Sequence, residues 1–335
     1  MFEQYNPLNI IKLIKAKIQL SALKKYMAQQ NIMFLGKRYF HDTKLIDILA
    51  VEYLFINQLN PKIRHDNRES FDMFLKFQAH AILGADLINE GADRVVVGHS
   101  WKNLGELLKK IGKDEPELGN LAKEHLRLAN ELLKKLETKT GKRIAKEFDD
   151  AVAAGLGYLR QELEFADKVC AGDAKFAKSY IRQQFEKDTT LSHLTNARVS
   201  VIYTFLIDSF YTLFFETDPM PRCPQADLLR WAETLSKAMQ ESIDDIDDIE
   251  DDIPNHKPTP LILRILKYGS AYNGIKNSML WNMNYLNSLE RLKILPVIRA
   301  VEQIIAKKIK RRYYRLFSRH RKIDALIQKY FSILL

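Results

Sequence analysis

Glycine is scarce in this chain, thirteen in 335 residues, and apolar residues recur at three- and four-residue spacings instead of alternating. Both features argue against a sheet architecture and predict helices. Cysteine is scarcer still. Cys170 and Cys223 are too few for a disulfide framework and suit a reducing compartment. No Cys/His cluster has the spacing of a zinc site. Long apolar runs are missing too: the most apolar stretch, Val199 to Phe215, is broken by Asp208, is too short to span a bilayer, and reads as a buried core helix. Over residues 1–30, Lys12, Lys15, Lys17, Lys24 and Lys25 are spread through the apolar positions, which excludes a secretory signal. Repeats and low-complexity linkers are also lacking, so a single cytoplasmic domain over 1–335 is expected.

What the chain does have is enough apolar residue, 46%, to build a sizeable core. Helical spacing starts at Pro7 and continues to about Met27, then recurs near 43–59, 68–90, 102–112, 118–138, 143–169, 174–187, 189–216, 225–253, 259–268 and 297–333. Breaks are expected at Asn60-Pro61, Gly91 to Gly98, Gly141, Ala171-Gly172-Asp173 and Asp218 to Pro224. Pro254, Pro258 and Pro260 end the 225–253 helix. A short strand is expected over Arg94 to Val97.

Charge is unevenly placed. Residues 290–335 hold thirteen Lys/Arg against three acids, which equals the whole chain's net charge of +10. Residues 244–252 hold seven acids and no base. On a helical wheel Gln240, Asp244, Asp247, Asp248 and Asp251 share one face, with Ile243, Ile246, Ile249 and Ile253 opposite. Carboxylates at these spacings repel by a few tenths of a kcal/mol per pair, roughly, and oppose the helix dipole near a C-terminus. Cations seated on that face relieve both penalties. An all-oxygen donor set without His or Cys points to Mg²⁺. A plain solvated acidic surface is the alternative. A second acidic face is spaced i, i+3, i+4, i+7 at Asp86, Asn89, Glu90 and Asp93, with His80 upstream, and metal sites in helical bundles are built from two such facing helices.

These residues resemble the isoprenoid synthase superfamily, the all-helical class I terpenoid fold of polyprenyl diphosphate synthases and terpene cyclases. The family's second aspartate-rich motif is DDxxD after a glutamine. Here Gln240 precedes Asp244-Asp245-Ile246-Asp247-Asp248, with an overlapping Asp247-Asp248-Ile249-Glu250-Asp251 and a gap one residue longer than the family's. Gly36-Lys37-Arg38 resembles the element that holds a homoallylic diphosphate. His80 to Arg94 stands in the place of the first motif, and Thr195-Asn196-Ala197 in that of a helix kink. The likeness covers roughly 36–270. The first motif is not DDxxD, its paired arginines are reduced to Arg94, and Leu194 replaces a lysine. These departures favour a cyclase acting on one prenyl diphosphate over chain elongation.

The resemblance implies a single-domain all-α bundle of the class I terpenoid synthase type that ionises an allylic diphosphate with Mg²⁺. Metal ligands would be Asp86, Asn89, Glu90, Asp93, Asp244, Asp245, Asp247, Asp248 and Asp251. Lys37, Arg38, Arg94, Gln240, Lys257, Arg264 and Lys267 would contact substrate. Asp244, Asp248, Arg312 and Tyr313 would act in the chemistry, Arg312-Tyr313 matching a C-terminal Arg-Tyr clamp. Tyr203, Phe205, Phe210, Tyr211, Phe214 and Phe215 could face a carbocation or simply pack in the core. The basic C-terminus has other readings: a face of 307–322 lying on anionic membrane, nucleic-acid contact, or a solvated final helix packed through Ile309, Leu316 and Ile323. No nucleic-acid fold signature accompanies the charge. A non-catalytic protein that binds partners through this tail, and a prenyl-diphosphate-binding regulator, are the competing functions. A homodimer is left open.

Overall fold

The computed structural model describes residues 67–94, 100–186, 201–215, 225–227, 229–230, 245–289 and 296–335, with positions 11, 14, 25, 33–34 and 37–38. It is mostly helical. A two-residue hairpin pairs β1 (Met33–Phe34) antiparallel to β2 (Lys37–Arg38). The chain divides into two compact units, each assembled from separated segments. One comprises 1–150, 206–225 and 294–301. The other comprises 151–205, 226–293 and 302–335.

In the first unit, α1 (Arg68–Arg94) lies along α3 (Pro116–Thr140), and α2 (Leu104–Asp114) packs on both. Phe71, Phe74, Phe77, Leu83 and Leu87 recur on the inner face of α1 and are buried, as 3.6-residue spacing requires. Phe74 meets Phe210 and Phe214 of α6 (Val201–Phe214) at centroid distances of 6.0 and 5.7 Å. Leu206, Phe210, Tyr211 and Leu213 of that apolar run are core here, and the half-buried Asp208 that interrupts it accepts a hydrogen bond from Gln225 at 2.9 Å. α2 opens on Asn103, whose side chain accepts from the Glu106 N–H at 3.0 Å, while Glu106 accepts from the Lys102 N–H at 2.6 Å. α3 starts with Pro116 and stops at Gly141 in the left-handed region (φ 68).

The break expected from Gly91 does not occur there. α1 continues through Gly91 to Arg94 because a Cβ at Gly91 would stand 2.4 Å from Leu118 and 2.7 Å from Ile111. The glycine serves close packing, and the expected strand loses Arg94 to the helix. At Gly119 the neighbour is backbone: an added Cβ would lie 2.7 Å from Gly112 Cα. Gly119→Ala is therefore expected to destabilise by about 1–3 kcal/mol, since neither helix can yield without shifting. Chemical denaturation followed through helix content checks this.

In the second unit, α4 (Ala145–Cys170, from 151 onward) leads through Gly172 (φ 76) into α5 (Ala174–Glu186), which Asp173 caps by accepting from the Phe176 N–H at 3.0 Å. α7 (Asp245–Asp252) packs on α8 (Pro260–Tyr268), and α8 packs on α9 (Ala271–Leu289). Gly274 lets α9 approach Ile265, where a Cβ would lie 2.5 Å from its Cα. The basic C-terminus is two helices, not the one expected: α10 (Pro296–Phe317, from 302 onward in this unit) and α11 (His320–Tyr330), followed by a 3₁₀ turn at Ser332–Leu334. Side chains end α10. The Ser318 hydroxyl donates to the Arg315 carbonyl at 2.6 Å, and His320 Nδ1 donates to the Phe317 carbonyl at 2.8 Å. In turn Asp324 of α11 accepts the Ala271 N–H at 2.5 Å, capping α9. Among the described residues no helix is long and apolar enough to cross a membrane.

Candidate functional site

The acidic run folds as its spacing requires. Ile246, Ile249 and Ile253 are buried, while Asp247, Asp248 and Asp251 are exposed. The helical wheel did not foresee that two further carboxylates, on Asp245 and Asp252, would be buried as well. Asp245 accepts the Leu261 N–H at 3.3 Å, at the positive end of α8. Asp252 pairs with Lys257 at 3.0 Å. Burial of a carboxylate is tolerated only with such partners.

On the same helix the exposed carboxylates meet the basic tail. Arg312 of α10 forms an ion pair with Asp247. Glu250 is held by Arg319 and, at 2.5 Å, by Lys322. Hydrogen bonds from Arg319 first, then Lys322, keep the Glu250 carboxyl below its usual range. The two opposed charge runs of the sequence thus answer each other across this unit. Each exposed pair adds at most about 1 kcal/mol, so the arrangement orients side chains more than it stabilises the fold.

Tyr313, next in sequence to Arg312, points the other way. Its ring is fully buried, and its hydroxyl lies 2.7 Å from both Ser278 Oγ and Asn282 Nδ2. It anchors α10 to α9 and thereby sets where Arg312 emerges. Tyr313→Phe would remove the hydroxyl that Ser278 Oγ and Asn282 Nδ2 both meet, with an expected loss of about 1–3 kcal/mol. Urea unfolding checks the loss, and an unchanged midpoint would show that the hydroxyl contributes nothing.

The remaining expected residues belong to several elements of both units. Arg264 is buried with its guanidinium 4.8 Å from the Trp281 ring centroid, and Lys267 Nζ lies 3.8 Å from that of Phe185. Burial, then Arg264, lowers the Lys267 pKa. Asp86, Asn89, Glu90 and Asp93 ride α1 in the other unit, where Arg94 pairs with Glu90. Lys37 and Arg38 form β2. Asp244, Gln240 and Tyr203's side chain lie outside the described residues, as does the 195–197 segment. Among the described residues, no three His, Cys, Asp or Glu side chains converge to hold an ion unaided. A closed protein cage is therefore not formed by these residues. Asp247, Asp248 and Asp251 do fit an ion held by one or two carboxylates, waters and phosphate oxygens, as Mg²⁺ is.

Spacing gave no sign of two histidine constellations. His80 and His125 are buried between α1 and α3 with their Nδ1 atoms 2.7 Å apart. Burial, then His125, pushes the His80 imidazole down to about 4, and burial lowers His125. The second constellation joins Cys170 and His256, at 3.3 Å. Partners 45 and 86 residues apart leave no local pattern to read. No family model, curated protein or solved structure matches the chain.

Proposed function

We propose that the chain is an Mg²⁺-dependent isoprenoid synthase of the class I terpenoid type, ionising an allylic prenyl diphosphate toward cyclisation or a related prenyl transfer. The observation that carries this reading is the mixed face of the second unit, where exposed Asp247 and Asp248 on α7 stand beside Arg312 of α10. A metal–diphosphate complex needs both signs of charge at once. Asp247, Asp248 and Asp251 would hold the metal, with Asp244 continuing the motif. Arg312, released from Asp247, would turn its forked donors to phosphate oxygens. Bound Mg²⁺ supplies Lewis-acid stabilisation of the leaving diphosphate. Without ligand, the Arg312–Asp247 ion pair holds both side chains in place on this face.

Thermal unfolding with Mg²⁺, with inorganic diphosphate, and with both tests the site without any assumption about the prenyl chain. A rise in Tm only with both together supports a composite site. Equal shifts in the parent and in Asp244→Ala/Asp248→Ala would remove the carboxylates from it. In the metal-free state that variant is expected to be slightly more stable, through relief of carboxylate repulsion.

A second reading is favoured by the outer face of α10. Lys307, Lys310, Arg311, Tyr314, Arg315 and Ser318 line an open depression of about 510 Å³, while Ile309, Tyr313 and Leu316 face the core. Four cations flanking an exposed tyrosine suit an anionic bilayer surface, where a lipid-like substrate would also reside. Sedimentation with anionic and with neutral vesicles separates this reading from the enzymatic one. Binding to neither, at low salt, removes it.

A further inference from the structure

Cys170, the last residue of α4, is exposed and in no disulfide. Its sulfur has a partner of defined chemistry. Sγ lies 3.3 Å from His256 Nδ1, and His256 Nε2 lies 2.9 Å from the Tyr330 carbonyl oxygen. A carbonyl oxygen can only accept, so Nε2 carries the ring proton and Nδ1 is left as an acceptor facing the thiol. Nucleophile, base and orienting group follow in the order that activates a weak nucleophile.

The imidazole is held firmly. Tyr330 and Phe331 meet it edge-on, at centroid distances of 6.1 and 5.3 Å. Its backbone ends α7: the His256 N–H donates to Ile253 and the Lys257 N–H to Asp252, both at 3.1 Å. This is the helix-ending position that glycine usually occupies. Here φ is 54, and His256 is the one non-glycine residue with positive φ among the described residues. Glycine would make the same turn without the cost of about 1 kcal/mol that a side chain incurs there. The ring is what histidine adds. The dipole at the end of α4 opposes negative charge on Cys170, and His256 is the base in hydrogen-bond reach of its sulfur.

We propose that Cys170 and His256 form a nucleophilic thiol site that exchanges with low-molecular-weight disulfides. Nδ1 accepts the thiol proton as Sγ attacks one sulfur of the disulfide. The new S–S bond forms while the old one breaks, and the departing thiolate takes the proton back from the imidazolium. The small disulfide is reduced to one free thiol and one mixed disulfide on Cys170, so no further oxidant is required. This site is independent of the isoprenoid reading.

The test uses the full chain carrying Cys223→Ser and an aromatic disulfide, 5,5′-dithiobis(2-nitrobenzoate), whose released thiolate is coloured. His256→Asn and His256→Gly both tolerate positive φ, so each preserves the helix ending, and circular dichroism confirms it. Each is expected to slow release by about tenfold or more at pH 7 and to approach the parent's rate at pH 9, where a thiol ionises without help. A folded His256 variant that matches the parent at pH 7 overturns the proposal. A deficit that persists unchanged at pH 9 overturns it too, because the histidine would then govern only access. If one variant fails to fold, the other decides.

Discussion

Replacing Asp247 and Asp248 together by asparagine is expected to lower Mg²⁺-dependent diphosphate release about 100-fold or more, with little change in stability. The asymmetry follows from where the carboxylates sit. Both are exposed on α7, and the Asp247 side chain is 54% accessible even while paired with Arg312. An exposed pair of this kind contributes roughly 0–1 kcal/mol, and relief of i,i+3 and i,i+4 repulsion with Asp251 offsets part of that. Asparagine keeps the shape and one acceptor oxygen but not the charge that a divalent ion requires. Steady-state diphosphate release and thermal unfolding on the same samples separate the two effects. A stable variant with parental turnover would remove these residues from the chemistry.

Acid is expected to loosen the α1–α3 pair by about 3 kcal/mol between pH 6.5 and 4, most of it above the range in which ordinary carboxylates titrate. In the unfolded chain an imidazole takes up its proton near pH 6.5, whereas buried His80 does so only near about 4. Across that window the unfolded state binds more protons, so stability is complete above pH 6.5 and falls with pH. Two cationic rings cannot share a 2.7 Å contact, so the His125 ring adds to the slope in the same direction. Glu124 beside the pair acts against this effect and Lys76 with it. Both are at the surface and partly screened. His80→Leu/His125→Leu, which removes both polar partners at once, is expected to flatten the response. Hydrogen exchange of α1 and α3 amides at pH 7 and 5, corrected for intrinsic rates, reads it directly. An equal loss of protection in parent and variant would place the acid sensitivity elsewhere.

Much of the helical framework was legible because its causes are local. The 3.6-residue spacing of Phe71, Phe74 and Leu75 marks α1, and Pro116 with Gly141 brackets α3. α9 escaped the sequence reading for an equally local reason. It carries five asparagines, whose side chains favour turns over helix interiors. In the structure two of them turn back onto the helix itself: Asn277 donates to the Asn273 carbonyl at 2.9 Å and Asn282 to Ser278 at 3.1 Å. Gly91 misled in the opposite sense, because a glycine that serves packing looks in sequence like one that ends a helix. Each unit is assembled from non-adjacent segments, so no linker composition marks their division.

The acidic face was legible and its partners were not. Isoleucine spacing fixes which carboxylates point outward, but nothing local shows that Glu250 will meet Arg319 and Lys322, 69 and 72 residues away. The excess charge at the two places was the available signal: opposed runs of such density on one chain reduce their cost by meeting. The buried Asp245 and Asp252 follow a rule no wheel contains, since a carboxylate enters the interior when a helix N-terminus or a lysine awaits it.

The most direct measurement is diphosphate release by the full chain from ten-, fifteen- and twenty-carbon allylic diphosphates, with and without Mg²⁺. Metal-dependent release from at least one of them is the predicted result, and its loss in the Asp247/Asp248 variant would assign it to α7. Release from none of them, under conditions where the protein is folded, would contradict the isoprenoid reading.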